Sequence, residues 1–296
     1  MKFGRLDRPD LVDFSMPENH ADTINILETA PPGDSLNVYV GCAKWNRQDL
    51  KGFYPRGTKD ELSYYSTQFN SIELNATFYR TPSVKQVQIW HDKTPDTFKF
   101  FPKITNSISH LKRLNQVEAI VDEYCNNIRE FKNKLGMVFL QMHDNFKAKD
   151  FERIERCLNY FPSDIPLAVE VRNAEWFSNL EISNLFYESL KSKNAANIIV
   201  DTAGRRDMMH MRLSSPTAFI RYVGANHESD YARLDEWVER IKNWIDLGLK
   251  NLYFFVHQNI EVASPLLSAY FIKKLNTTCN LNLTIPNSGS QGKLLL

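Results

Sequence analysis

From Val38 onward, short apolar strings alternate with longer stretches of mixed polarity. VYVGC, SIELN, TFKFF, GMVFLQ, PLAVEV, NIIV, TAFIRYV and NLYFFV each have the length and the β-branched or aromatic content of a strand. Between them, residues 59–69, 83–90, 116–131, 146–158, 182–190, 234–244 and 265–275 read as helices. Eight strand strings with helices between them fit parallel strands joined by right-handed crossovers. The expected fold class is therefore α/β, a TIM-like βα barrel, with an open doubly wound sheet as the competitor. The sixth unit departs from the pattern. After NIIV, DTAGRR runs into DMMHMRLSS, which predicts an irregular crossover with Met208, Met209 and Met211 as packing rather than metal ligands.

Polar side chains interrupt these strings near their carboxyl ends: Glu73, Lys103, Gln141, Glu170, Arg172, Asp201, Arg221 and His257. Side chains alternate across a strand, so Glu170 and Arg172 share one face. In a barrel that face points inward, and ligand sites gather at the carboxyl ends of barrel strands. A charge taken out of water has to be paired, hydrated or used by a ligand. Glu73, Glu170 and Asp201 are thus the expected catalytic carboxylates, suited to acid/base work of the kind glycoside hydrolysis uses. Lys103, Arg172 and Arg221 are expected to face an anion, with Gln141, His257 and Asn259 completing a polar ligand site. Trp45 and Trp176, flanked by polar residues just after strands, are the preferred stacking surfaces over Tyr54 and Tyr79, against a packing role for each. The rival reading is an ion-pair network that satisfies itself and serves no substrate.

Composition narrows the partners. Lys plus Arg number 36 and Asp plus Glu 35, giving a formal charge of +1, which argues against a surface that coats nucleic acid and leaves only local patches for such contact. One patch is residues 97–117, with Lys99, Lys103, Lys112 and Arg113 and no acid; His110 sits within it. That interval could take a small anion, a nucleic-acid backbone or the acidic start of the chain, or stand as a solvated surface. Residues 1–36 contain seven acids, three Lys or Arg and four prolines, so they read as an acidic extension, and residues 37–296 as a single βα-barrel domain. The four cysteines are dispersed and the amino terminus lacks a secretion-type apolar stretch, so the expected location is the reducing cytoplasm. Cys42 reads as a small buried hydrophobe. No apolar run approaches the roughly 18 to 20 residues of a membrane span. HExxH, paired-cysteine and EF-hand motifs are lacking, so His227 and His257 are not expected to join the carboxylates around a metal, and no GxSxG elbow supports a serine hydrolase. The pattern names no cofactor and no oligomeric state.

An ordered set of segments carries a more specific signal: VYVGCAKW, GFYP, YYSTQFNSIELNATFYRTPS, TPDTFKFFPKI, ISHLKRL, GMVFLQM, PLAVEVRNAEWF, VDTAGRR and FIRYVG. In these the chain resembles the domain-of-unknown-function 72 family, also called YecE-like. The resemblance implies a βα barrel with an internal cleft, brings no reaction with it, and puts Glu73, Lys103, Glu170, Arg172, Asp201 and Arg221 at strand-end motifs. The chain departs from the family pattern at Cys42-Ala43-Lys44, at Asn173 where histidine is usual, and at His257-Gln258-Asn259 where adjacent asparagines are usual. The resulting expectation is a polar strand-end cleft for a small polar or anionic ligand, with hydrolysis by carboxylates as the candidate reaction. The alternative is a noncatalytic anion-binding or protein-interaction barrel whose buried charges are structural.

Overall fold

The computed structural model describes residues 4–31 and 35–287. All eight expected strings form strands: β1 (Asn37–Cys42), β2 (Ser71–Leu74), β3 (Lys99–Pro102), β4 (Val138–Gln141), β5 (Leu167–Glu170), β6 (Ala196–Thr202), β7 (Thr217–Gly224) and β8 (Asn251–Gln258). Around them stand α1 (Ala21–Glu28), α2 (Glu61–Gln68), α3 (Ala76–Tyr79), α4 (Val84–Asp92), α5 (Glu118–Ile128), α6 (Phe151–Tyr160), α7 (Glu175–Ser178), α8 (Leu180–Ser192), α9 (Ser229–Leu247) and α10 (Ser264–Cys279). Local chemistry marks several boundaries. Asp60, Ser83 and Asn179 accept from the backbone N–H three residues on and cap α2, α4 and α8, while Gly248 ends α9 in the left-handed region.

The strands pair in parallel in the order β3-β2-β1-β8-β7-β6-β5-β4. The two terminal strands of that order also meet: Gly136 N–H donates to Phe100 O at 2.7 Å, Ile104 N–H donates to Phe139 O at 2.9 Å, and Lys103 bridges to Phe139. The sheet is therefore a nearly closed, TIM-like barrel surrounded by helices, not an open doubly wound sheet. Gly41 permits the close β1–β2 approach, since a Cβ there would lie 2.2 Å from Ser71 O.

The period of two sorts each strand into an outward and an inward face. Outward residues such as Val40, Ile72, Leu140, Val169 and Ile220 join the large core under the helices. Inward, Phe101, Phe139, Ala168, Phe219 and Phe255 pack into an apolar plug, with ring centroids 4.9 Å apart for Phe101–Phe255 and 5.3 Å for Phe219–Phe255. Two residues further along the same strands, still facing the lumen, stand Lys103, Gln141, Glu170, Arg221 and His257. The plug closes the barrel below, so the polar layer opens only toward the carboxyl ends of the strands.

The irregular sixth crossover is a 3-10 segment, Ala203–Met208, without a long helix. Met208 and Met211 are buried beneath it. The described part of the extension lies across this region. Gly204 N–H donates to Gly4 O at 2.8 Å, Thr23 Oγ1 donates to Met211 O at 2.7 Å, and Arg212 pairs with Asp22 at 2.5 Å. Asn19 Oδ1 accepts from Arg240 and from the Trp244 indole, both on α9. These contacts bind the extension to the β6–β7 connection and α9, not to the basic interval 97–117. That interval is itself divided: Lys99 donates to Asn133 O, Lys103 is buried at the other end of β3, and Arg113 is tied to Asn145 and Asp150. Among the described residues no helix is long and apolar enough to cross a membrane.

Candidate functional site

A continuous chain of hydrogen bonds crosses the lumen above the apolar plug. Lys103 Nζ donates to Gln141 Oε1 at 2.7 Å, and Gln141 Nε2 donates to Glu170 at 3.0 Å. Arg221 then bridges two carboxylates, giving Nη1 to Glu170 Oε2 at 2.6 Å and a two-pronged contact to Glu73 at 2.8 and 2.9 Å. Glu73 Oε2 meets His257 Nε2 at 2.9 Å, and its Oε1 accepts from Asn75 at 2.8 Å. Arg172 Nε donates to Glu170 from the mouth side. One arginine between two carboxylates leaves an excess of negative charge, which Arg172 offsets at one end and Asn75 and His257 hydrogen-bond at the other.

Burial alone would protonate both glutamates, but their cationic neighbours prevail. Arg172 and Arg221 hold Glu170 down at about 2, and Arg221, with the hydrogen bond from His257 Nε2, holds Glu73 well below the usual carboxylate range. Lys103 goes the opposite way. Burial first, and then the charges of Arg221 and Arg172, lower its ammonium to about 7. Its backbone carbonyl accepts from the hydroxyls of Thr77 at 2.7 Å and Tyr124 at 3.0 Å, and its Nζ lies 4.1 Å from the Phe78 ring centre. The side chain is thus held in place at both ends.

Above this layer opens a cleft of about 680 Å³. Lys103, Gln141, Arg172 and His257 form its floor, the segments after β1 and β2 form one wall with Lys44, Asp49, Lys51 and Phe78, and the segment after β8 supplies Asn259 and Glu261. Two buried atoms of this lining lack a hydrogen-bond partner, His257 Nδ1 and Asn259 Oδ1. The Glu73 carboxylate only accepts, so His257 Nε2 carries the proton in its neutral form and Nδ1 is an acceptor. With the imidazole neutral, both unpartnered atoms are acceptors, and buried acceptors without donors are a standing cost of about 1–3 kcal/mol each. Glu261 Oε1 lies 3.9 Å from His257 Nδ1, beyond hydrogen-bonding distance.

The family model described as a protein of unknown function, DUF72, matches residues 39–289, which takes in β1 from Tyr39 on, the other seven strands and the whole cleft lining. The chain belongs to the DUF72 family. It is similar to the UPF0759 protein YunF of Bacillus subtilis (strain 168), 30% identical over 151 residues that are 48% of this chain and 52% of that protein. The chain thus spans about half the length of that curated relative. Among solved structures it resembles the DUF72 family protein EF0366 of Enterococcus faecalis V583, with a TM-score of 0.66, 16% identity and coverage of 84% of this chain and 100% of that one. It also resembles the DUF72 family protein TM1631 of Thermotoga maritima MSB8, with a TM-score of 0.64, 24% identity and coverage of 81% and 99%. Those two likenesses establish a shared fold.

Within this DUF72 barrel the expected site residues divide into three groups. Lys103, Gln141, Arg172, His257 and Asn259 line the cleft together. Glu73, Glu170 and Arg221 lie directly beneath as its support, fully covered. Asp201, Trp176, Trp45 and His110 stand elsewhere. Asp201 is one residue out of phase with the inward Val200 and so points to the helix layer, where it accepts from Arg206 at 2.5 Å, Arg233 at 2.6 Å and the Trp237 indole at 2.7 Å. The expected three-carboxylate set is therefore split between two faces of the sheet. Trp176 is a core residue, parallel to Phe146 and donating to Phe146 O at 2.8 Å. Trp45 packs edge-on against Trp90. His110 lies behind Phe78, edge-on to it at 4.9 Å, its imidazole pushed down to about 4 by burial and the charge of Lys103. Tyr79, a weaker stacking candidate, is the aromatic residue that does reach the rim, with Tyr54 buried under the same wall.

The sequence reading missed Lys44, Asp49, Lys51, Asn75, Phe78 and Glu261 as site residues. Each follows β1, β2 or β8, so position just beyond a strand's carboxyl end was the available signal. Among the described residues, no group of three or more His, Cys, Asp or Glu side chains is placed to hold a metal ion. Cys42 is buried, its thiol raised to about 12 by burial, as suits a packing residue.

Proposed function

We propose that the barrel mouth binds a small polar ligand with two distinct ends. One end carries a negative charge and meets Arg172; the other carries hydroxyl or amino groups that donate to His257 Nδ1 and Asn259 Oδ1. The observation that carries this reading is the pair of buried, unpartnered acceptors on the cleft lining. A ligand that donates to them removes a cost the free protein bears, so the binding energy has a defined source. Preference for an anion is supported by the lining, where Lys44, Lys51 and Arg172 outnumber Asp49 and Glu261.

Glu73 and Glu170 then act as fixed counter-ions that orient Arg221, His257 and Arg172, rather than as groups that exchange protons at neutral pH. Both are saturated by donors and held ionised. That mutual satisfaction favours the structural-network reading for the covered layer alone; the cleft above it keeps its unmet acceptors.

Thermal-shift measurements with three matched compounds test the proposal: glycerate, which has both ends; glycerol, which lacks the charge; and propionate, which lacks the hydroxyls. Glycerate should raise the melting temperature well above the other two, and Asn259→Ala and Arg172→Met should each reduce that shift. Equal shifts from all three compounds, or a glycerate shift untouched by both substitutions, would defeat it.

A further inference from the structure

Lys103 has a combination of features that ligand binding does not require. It is a buried lysine on the floor of an open cleft, and its Nζ donates to the neutral Gln141 amide instead of to a carboxylate. Phe78 flanks it at 4.1 Å, and Arg172 and Arg221 lie close enough to disfavour its protonation. Thr77 and Tyr124 hold its backbone carbonyl, which fixes where the side chain starts. A desolvated lysine beside other cations is the standard means of obtaining an uncharged, nucleophilic amine near neutral pH. A lysine whose task was to bind an anion would be better left charged.

We propose that Lys103 condenses with the carbonyl carbon of a small oxo acid that also bears a hydroxyl group, forming an imine in the barrel mouth. This substrate class rests on the two-ended ligand proposed above. Its carboxylate meets Arg172, its hydroxyl donates to His257 or Asn259, and its carbonyl lies over the lysine between them. The Lys103 nitrogen forms the new C–N bond. The carbonyl oxygen departs as water after taking one proton from that nitrogen and one from solvent, leaving a protonated imine with no change in oxidation state. The protonated imine then withdraws electrons from the adjacent carbon, which opens the bonds at that carbon to proton removal or cleavage. Glu170, in contact with Arg172 and Gln141, supplies fixed negative charge near the iminium.

Borohydride trapping tests the proposal on the intact protein. Hydroxypyruvate is incubated with the protein at pH 7.5, the mixture is reduced, and each lysine's adduct is quantified by peptide mass spectrometry. An ordinary exposed lysine is more than 99% protonated at that pH, so Lys103 should be labelled faster by roughly a hundredfold despite its burial. Labelling should decline below pH 7, disappear in Lys103→Met and be slowed by glycerate. Lys103 labelling no greater than that of exposed lysines such as Lys59 or Lys85 would overturn the proposal. Formaldehyde, which needs no recognition, provides the second probe: preferential methylation of Lys103 by formaldehyde without a hydroxypyruvate adduct would refute the oxo-acid substrate. Glycerate binding without any Lys103 adduct would refute imine formation and leave the binding reading standing. An adduct at Lys103 that glycerate does not slow would instead refute the two-ended ligand.

Discussion

Two buried arginine–carboxylate networks lie on opposite faces of the same sheet, and they end differently. In the lumen, Arg221 joins Glu73 and Glu170, and the chain of contacts runs out to Lys103 and His257, both on the cleft. On the outer face, Arg233 joins Asp201 and Asp230, and Arg206 adds a second cation to Asp201. There the extension closes the network over. The Arg233 guanidinium lies between the rings of Phe14 and Tyr222, 4.5 Å from each centre, and Arg206 donates to Phe14 O and Ser15 O. Residue types and burial are alike, but one network presents acceptors to a cavity and the other is covered by the chain's own leading segment. Buried charge by itself therefore does not mark a site. What marks it is an edge of the network that meets open space with hydrogen bonds unmade.

The largest expected effect separates the two networks by their redundancy. Arg221→Met leaves two buried carboxylates without their shared cation and should destabilise the fold by about 3–5 kcal/mol in urea unfolding. Arg233→Met leaves Asp201 with Arg206 and Trp237 and should lose less, about 1–3 kcal/mol. Equal losses would mean that the lumen arginine is no more central than the outer one.

The pH dependence comes next. Glu170 drops from its ordinary value near 4.5 to about 2 on folding, so its stabilisation is fully present above pH 4.5 and is lost as pH falls toward 2. Lys103 has its folded value lowered to about 7 from 10.5, so between those limits the unfolded chain binds more protons and stability rises with pH. Lys103→Met removes this penalty: the variant should melt higher than the parent at pH 6, with the gap shrinking as pH rises toward 10. A gap that stays constant across this range would show that Lys103 is charged in the fold.

Phe14→Ala is a milder test of the outer network. Losing the ring against Arg233 should cost about 1 kcal/mol, while the glycerate-induced thermal shift stays unchanged. A weakened glycerate response would couple the extension to the mouth and dissolve the distinction drawn between the faces. Last, and opposite in sign, Asn259→Ala should raise the free protein's stability in urea unfolding by up to about 1 kcal/mol, because it deletes a buried acceptor that has no donor.

The eight strands were legible because each apolar string carries its own signal in β-branched and aromatic content, and parallel strands joined by helical crossovers leave few ways to arrange them. Glu73, Glu170 and Arg221 could be placed near a barrel mouth by the same logic. Asp201 shows where that logic stopped. It stands at the end of NIIVD much as Glu170 stands at the end of LAVE, yet a phase shift of one residue along β6 sends it to the helix layer. Fully buried strands are apolar on both faces, so the string itself does not reveal which set of alternate residues looks inward. Trp176 misled for a similar reason: polar neighbours in sequence surround a side chain whose neighbours in space are Phe146 and Phe186.

Local composition thus settled what could be settled locally: the number and kind of elements, their parallel arrangement, and the polar interruptions near strand ends. The barrel's closure decided everything that depends on distance between remote segments. It brought Lys103 within reach of Gln141 and Arg221 within reach of Glu73, 148 positions away, and it left His257 Nδ1 without a donor. Proton affinity follows from those distances and from exclusion of water, so only the assembled lumen could hold two glutamates ionised and bring a lysine close to neutrality.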